Sequence, residues 1–131
     1  MARSLRRLTP PWAVSLPAQV AAVAALRDPM YYAERYRETA ILRAALAASL
    51  GARAPTMTVV ERCASFLIGY LDPTGPNAAA ICERCRAHDV FIRDAGTIIA
   101  RFGDHALRIA VKDTTSNERI VRTIAAAVAQ G

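Results

Sequence analysis

Between His105 and Thr115 the chain alternates and then changes character: Leu107, Ile109 and Val111 fall on one side of an extended segment, Arg108 and Ala110 on the other, and a helix start follows at once. Successive side chains of a strand point to opposite faces, so the pattern specifies a strand with one buried and one wet face. Val90 to Arg93 repeats the device, separating Val90 and Ile92 from Phe91 and Arg93. If the two segments pair in compatible register, both guanidiniums lie on the face away from the helices. An arginine offers a planar fork of donors that matches carboxylate or phosphate oxygens bidentately. Arg93 and Arg108 are therefore the candidate substrate-binding residues, although an arginine on the wet face of a half-buried strand is also ordinary surface chemistry.

The remaining pattern predicts helices and short strands in alternation. Ser15 with Pro17 reads as the cap and first turn of an apolar helix from Leu16 to about Arg27. Asp28 before Pro29 starts a second helix, with Leu42, Leu46 and Leu50 on one side, Glu34, Arg37 and Glu38 on a wet side, and Gly51 as its stop. Thr56 to Val60, Phe66 to Leu71, Val90 to Arg93 and Leu107 to Val111 read as strands. Asp72-Pro-Thr-Gly-Pro turns into a helix from Pro76 to His88, and the capping-box pattern Thr115-x-x-Glu118 opens a last helix whose Ile120, Val121, Ile124 and Val128 share a face. The order implies an α+β two-layer sandwich: a small, mostly antiparallel sheet covered by helices on one face and preceded by a long helix pair.

One such domain is what 131 residues can build. The 53% hydrophobic content is inflated by alanine, a good helix former but a poor core filler, and only 6% of residues are aromatic. A net charge of +6 favours anions, yet beyond Arg3, Arg6 and Arg7 the arginines are scattered among acids without a recognition-helix pattern, so no nucleic acid is expected as partner. The basic start followed by an apolar stretch to Leu26 resembles an export signal, but Pro10, Pro11, Pro17 and Gln19 interrupt it and it is too short to span a bilayer. No membrane association is expected, and the location is expected to be cytoplasmic. Three cysteines, an odd number, then read as free thiols. Cys82-x-x-Cys85 near Cys63 and His88 falls on a helix's apolar stripe, so structural thiols are expected and no metal. His88 and His105 lack an acidic partner at a telling spacing and read as helix-end and loop residues.

Several pieces in order carry a resemblance: Pro11-Trp-Ala-Val-Ser with the Ala-rich helix after it, Asp28-Pro-Met-Tyr-Tyr, Arg35 to Leu42, Ala64-Ser-Phe-Leu-Ile, Val90-Phe-Ile-Arg-Asp and Leu107-Arg-Ile-Ala-Val. From Pro10 onward the chain resembles the C-terminal small domain of fold type I pyridoxal-phosphate-dependent aminotransferases, of the histidinol-phosphate aminotransferase and threonine-phosphate decarboxylase kind. The resemblance implies residues 1–15 as a remnant of the junction with a large domain and 16–131 as the small domain. It implies that Arg108 grips a substrate carboxylate and that Arg93 sits beside the substrate and helps bind its phosphate. The chain departs at Ser65, where the family usually has Asn before an aromatic residue.

The resemblance also implies what is absent. Pyridoxal-phosphate chemistry needs a lysine amine for the internal Schiff base. The sole lysine is Lys112, next to a substrate arginine, whereas the family's Schiff-base lysine would lie upstream of everything present. The cradle for the cofactor phosphate, the aspartate for the ring nitrogen and the stacking aromatic would lie upstream too. The expectation is a C-terminal aminotransferase fragment of amino-acid biosynthesis that contributes binding of a small anionic amino-acid or amino-phosphate substrate, with no catalytic and no cofactor-binding residue of its own. Pyridoxal 5'-phosphate belongs to the intact family and is not expected on this chain alone. A large-domain partner or a homodimer is expected. A non-enzymatic interaction module, or a gene fragment that folds poorly, are the alternatives.

Overall fold

The computed structural model describes residues 14–130, so the junction reading for residues 1–15 lies almost wholly outside the described residues. It divides into two units, one ending at Tyr36 and one beginning at Arg37.

In the first unit, α1 spans Leu16–Ala25. It begins after Ser15 in extended backbone with a proline in its first turn, but the Ser15 side chain makes no capping bond, and the helix stops two residues before Arg27. No residue of α1 is buried: Leu16 is 72% exposed, Val20 64% and Val23 55%. The next helix, α2, spans Pro29–Arg53 and enters the second unit. The Asp28 carboxylate accepts the Tyr31 amide at 3.1 Å, which caps α2 as its sequence implies. Arg35 lies over the Tyr31 ring, 5.6 Å from its centroid.

The second unit carries the core. After α2 come β1 (Thr58–Val60), β2 (Phe66–Tyr70), α3 (Ala78–Arg86), β3 (Arg93–Asp94), a 3-10 turn at Ala100–Phe102, β4 (Ala106–Ala110) and α4 (Thr114–Ala129). The strands form one antiparallel sheet in the order β1-β2-β4-β3. Leu67, Leu107 and Ile109 from the sheet are fully enclosed with Leu46 and Leu50 of α2, Ile81 and Cys85 of α3 and Ile124 of α4. Each such aliphatic side chain contributes about 1.5–3 kcal/mol relative to staying in water. The α+β sandwich with a small antiparallel sheet is thus the fold that forms.

Several local expectations are corrected. Gly51 does not end α2, which continues to Arg53 because Leu50 and Ala54 are both buried and the Ala54 amide bonds to the Leu50 carbonyl at 2.8 Å. A glycine in a helix interior costs about 1 kcal/mol against alanine, too little to outweigh that anchoring. β3 starts at Arg93 rather than Val90, since Asp89 is left-handed at φ 56° and the Val90 amide still bonds back to the Cys85 carbonyl. β1 starts at Thr58 because the Met57 amide is taken by a turn bond to Ala54.

Caps shift as well. α3 begins at Ala78, capped by the Asn77 side chain accepting the Ala80 amide, not at Pro76. α4 is capped by Asp113, whose carboxylate accepts the Ser116 amide at 2.9 Å and its hydroxyl at 2.7 Å, in place of the Thr115 to Glu118 box. Buried Asn117 then accepts the Lys112 amide and donates to the Lys112 carbonyl, satisfying the backbone just past the end of β4.

Candidate anion-binding site

In the β3–β4 pair, Arg93 is the direct cross-strand partner of Arg108. Paired residues share a sheet face, and Leu107, the neighbour of Arg108, is fully buried on the other. Both guanidiniums therefore belong to the face away from the core, as the alternation requires. Phe91, just ahead of β3, is 75% exposed, whereas Val90 is buried.

Arg93 and Arg108 line one open cleft of about 690 Å³, together with Cys82, Glu83 and Arg86 of α3 and Asp94 and Thr97 beyond. The acids that line it bond to groups other than Arg93 and Arg108. The Glu83 carboxylate pairs with Arg86 at 2.8 Å, and Asp94 Oδ1 accepts the Gly96 amide at 2.8 Å. Among the described residues, neither Arg93 nor Arg108 forms an ion pair. Two guanidiniums without an ion-pair partner on the open face of a sheet attract a carboxylate or a phosphate.

Sequence reasoning missed Phe66. Its ring lies under the Arg108 guanidinium, 4.2 Å from carbon to ring centroid. The signal was the register: Arg108 pairs with Ile68, which makes Phe66 its diagonal neighbour on the same face. Ser65, where the sequence departs from its resemblance, offers its carbonyl to the Val111 amide at 2.9 Å, and Arg43 holds the adjoining Ala64 carbonyl at 3.2 Å and Glu61 at 3.1 Å.

Of the lysine, cysteines and histidines singled out from sequence, Cys82 alone lines this cleft. Lys112 is exposed and does not line the cleft. Cys63 is exposed, Cys82 half-buried and Cys85 buried; burial pushes the Cys85 thiol up to about 11 and raises Cys82 as well, so both remain protonated thiols at neutral pH. His105 does have an acidic partner, since its Nδ1 lies 2.8 Å from the Asp104 carboxylate, and that hydrogen bond lowers Asp104. A second groove of about 380 Å³ runs between α2 and α4, with Arg53 and Arg122 on its rim beside Glu118, so its charge is mixed.

The arrangement defines a class: an α+β domain whose fold recurs as one part of longer aminotransferase chains. Histidinol-phosphate aminotransferase from Clostridium acetobutylicum has this fold over 99% of the chain, with a TM-score of 0.74 and 21% sequence identity. A protein of Burkholderia pseudomallei K96243 assigned as an aminotransferase matches over 95%, with a TM-score of 0.66 and 22% identity. The chain spans 38% and 36% of the length of those two proteins. No family model and no curated protein matches the sequence.

Proposed function

We propose that the chain supplies the substrate-anion site of an aminotransferase of the histidinol-phosphate type, with Arg108 as the main anchor and Arg93 as its second donor. The observation that carries the reading is the direct pairing of Arg93 with Arg108 on the open face, without a counter-ion among the described residues, in a fold shared with aminotransferases. The substrate class is a small amino acid or amino phosphate, whose oxyanion spans the two guanidiniums.

Pyridoxal phosphate supplies the electron sink in such enzymes. The residues of this chain do not fit a covalent site for it: the sole lysine, Lys112, lies outside the cleft, and its backbone is bound to Asn117. In this reading the lysine belongs to a large domain outside these 131 residues, and these residues by themselves do not carry out the chemistry. The exposed apolar side of α1 supports a partner, because a helix with no charged residue and no buried one presents a surface suited to association. The same surface favours, as the second reading, a non-enzymatic docking module in which the arginines are relics. Cytoplasmic location and a role in amino-acid biosynthesis go with the first reading.

The test is a titration of the purified chain with inorganic phosphate and with succinate, followed by amide NMR. Shifts confined to β3, β4 and the Asp94 to Gly96 turn, abolished by Arg108→Ala, are expected. Unchanged binding by Arg108→Ala removes the site. Turnover of an amino acid with pyridoxal phosphate by this chain alone overturns the division of labour.

A further inference from the structure

Arg108 has two aromatic neighbours on its face of the sheet. It pairs with Ile68, so Phe66 and Tyr70 are its two diagonal neighbours on β2. Tyr70 turns toward Phe102, with ring centroids 6.5 Å apart, and only Phe66 receives the guanidinium, at 4.2 Å from its centroid. That separation falls well inside the range of about 6 Å over which a ring's electron-rich face attracts a cation. Across the strand pair stands Arg93, a like charge directly opposite. Like charges so placed push each other apart, and no carboxylate among the described residues pairs with either.

We propose that Phe66 is the positioning residue of the anion site. Its ring covers one plane of the Arg108 guanidinium, offsets part of the repulsion from Arg93, and leaves the in-plane N–H donors free for an oxyanion. A guanidinium donates along its edges and stacks through its face, so stacking on Phe66 uses none of the five donors. It also removes rotamer freedom before the ligand arrives, and preorganisation of that kind appears as affinity. Among the described residues Arg93 has no such ring contact, and it is the adaptable member of the pair. This inference rests on the reading of Arg93 and Arg108 as an anion site.

The test compares Phe66→Leu and Phe66→Tyr in the full chain, with inorganic phosphate as the probe. Phe66→Leu keeps an apolar side chain at the position and loses the ring; Phe66→Tyr keeps the ring. The Leu variant is expected to bind phosphate roughly 3- to 30-fold more weakly, and the Tyr variant to stay within about 2-fold of the parent. The spectroscopic readout is the Arg108 Nε–H proton, which the ring shifts upfield in the parent and in Phe66→Tyr but not in Phe66→Leu. Parent-like phosphate affinity in a folded Phe66→Leu overturns the proposal while leaving the anion site intact. No phosphate binding by the parent chain, with Arg108→Ala indistinguishable from it, overturns both together. If Phe66→Leu does not fold, an Arg108 Nε–H signal without upfield shift in the parent is enough to sink it.

Discussion

Arg93 stands directly opposite Arg108 across the β3–β4 pair, two guanidiniums on one open sheet face with no carboxylate between them among the described residues. Like charges directly opposite on a sheet destabilise it, by roughly 0.2–1 kcal/mol, the scale of cross-strand pair effects. Arg93→Ala should therefore raise the stability of the ligand-free domain by about that amount, a gain of a few degrees in Tm by calorimetry. In phosphate the order should shrink or invert, because the parent gains ligand binding that the variant has lost. A variant less stable than the parent without phosphate would show that the Arg93 stem is held by packing instead of strained by charge.

The two glycines that bound the domain's tolerance predict opposite outcomes. Gly51 lies within α2, and a Cβ there meets nothing within 4 Å. Gly51→Ala should stabilise the domain by about 0.5–1 kcal/mol, since it removes backbone freedom from the unfolded chain and improves helix propensity. At Gly96 a Cβ would collide with the Gly103 backbone carbonyl, which cannot swing aside as a side-chain tip can. Gly96→Ala should cost roughly 1–3 kcal/mol or more, as overpacking does, and should disturb the turn that leads out of β3 beside the cleft. Urea midpoints of the two variants check both signs.

Much of the fold was legible because its strands obey a strict period. Leu107 and Ile109 alternate with Arg108, and that alternation alone placed the arginine on the open face. Legibility failed where a boundary depends on competition between local bonds. Gly51 has the identity of a helix stop, but Leu50 and Ala54 are buried on either side of it and carry the helix through. Thr115 and Glu118 have capping-box spacing, yet Asp113 turns first and takes the Ser116 amide. Phe66 escaped notice for a different reason. Which residue lies diagonal to Arg108 is decided by the register between β2 and β4, 42 positions apart in sequence at that contact, and no local pattern encodes it.

Thiol reactivity should report the burial order directly. Cys63 is exposed, whereas Cys82 is half-buried and Cys85 lies in the core with its thiol raised to about 11. The thiolate is the reactive species, so at pH 8 iodoacetamide should modify Cys63 first, Cys82 far more slowly, and Cys85 only on unfolding. Mass spectrometry of partly labelled protein resolves the three. Early labelling of Cys85 would mean that α3 opens away from the sheet on the timescale of the reaction.

Acid should loosen the domain first at its caps, and Asp113 gives the cleanest test. Its carboxyl is held below its ordinary range by the Ser116 amide and hydroxyl, both of which donate to it. A group with a depressed folded pKa contributes stability that is fully present above its unfolded value, near 3.9, and is lost as pH falls through the folded value. Asp72, held down by Thr74, and Asp104, held down by His105, act in the same direction, so the parent's stability should fall below about pH 4. Asn caps a helix about as well as Asp but does not titrate. Asp113→Asn should therefore stay close to the parent at pH 7, where its only loss is the charge at the α4 N-terminus, and should become the more stable of the two at pH 2. Denaturation midpoints across that range should cross. If the two curves stay parallel down to pH 2, the Asp113 carboxylate is not what holds the start of α4, and the Asn117 bonds to Lys112 would be left to anchor it.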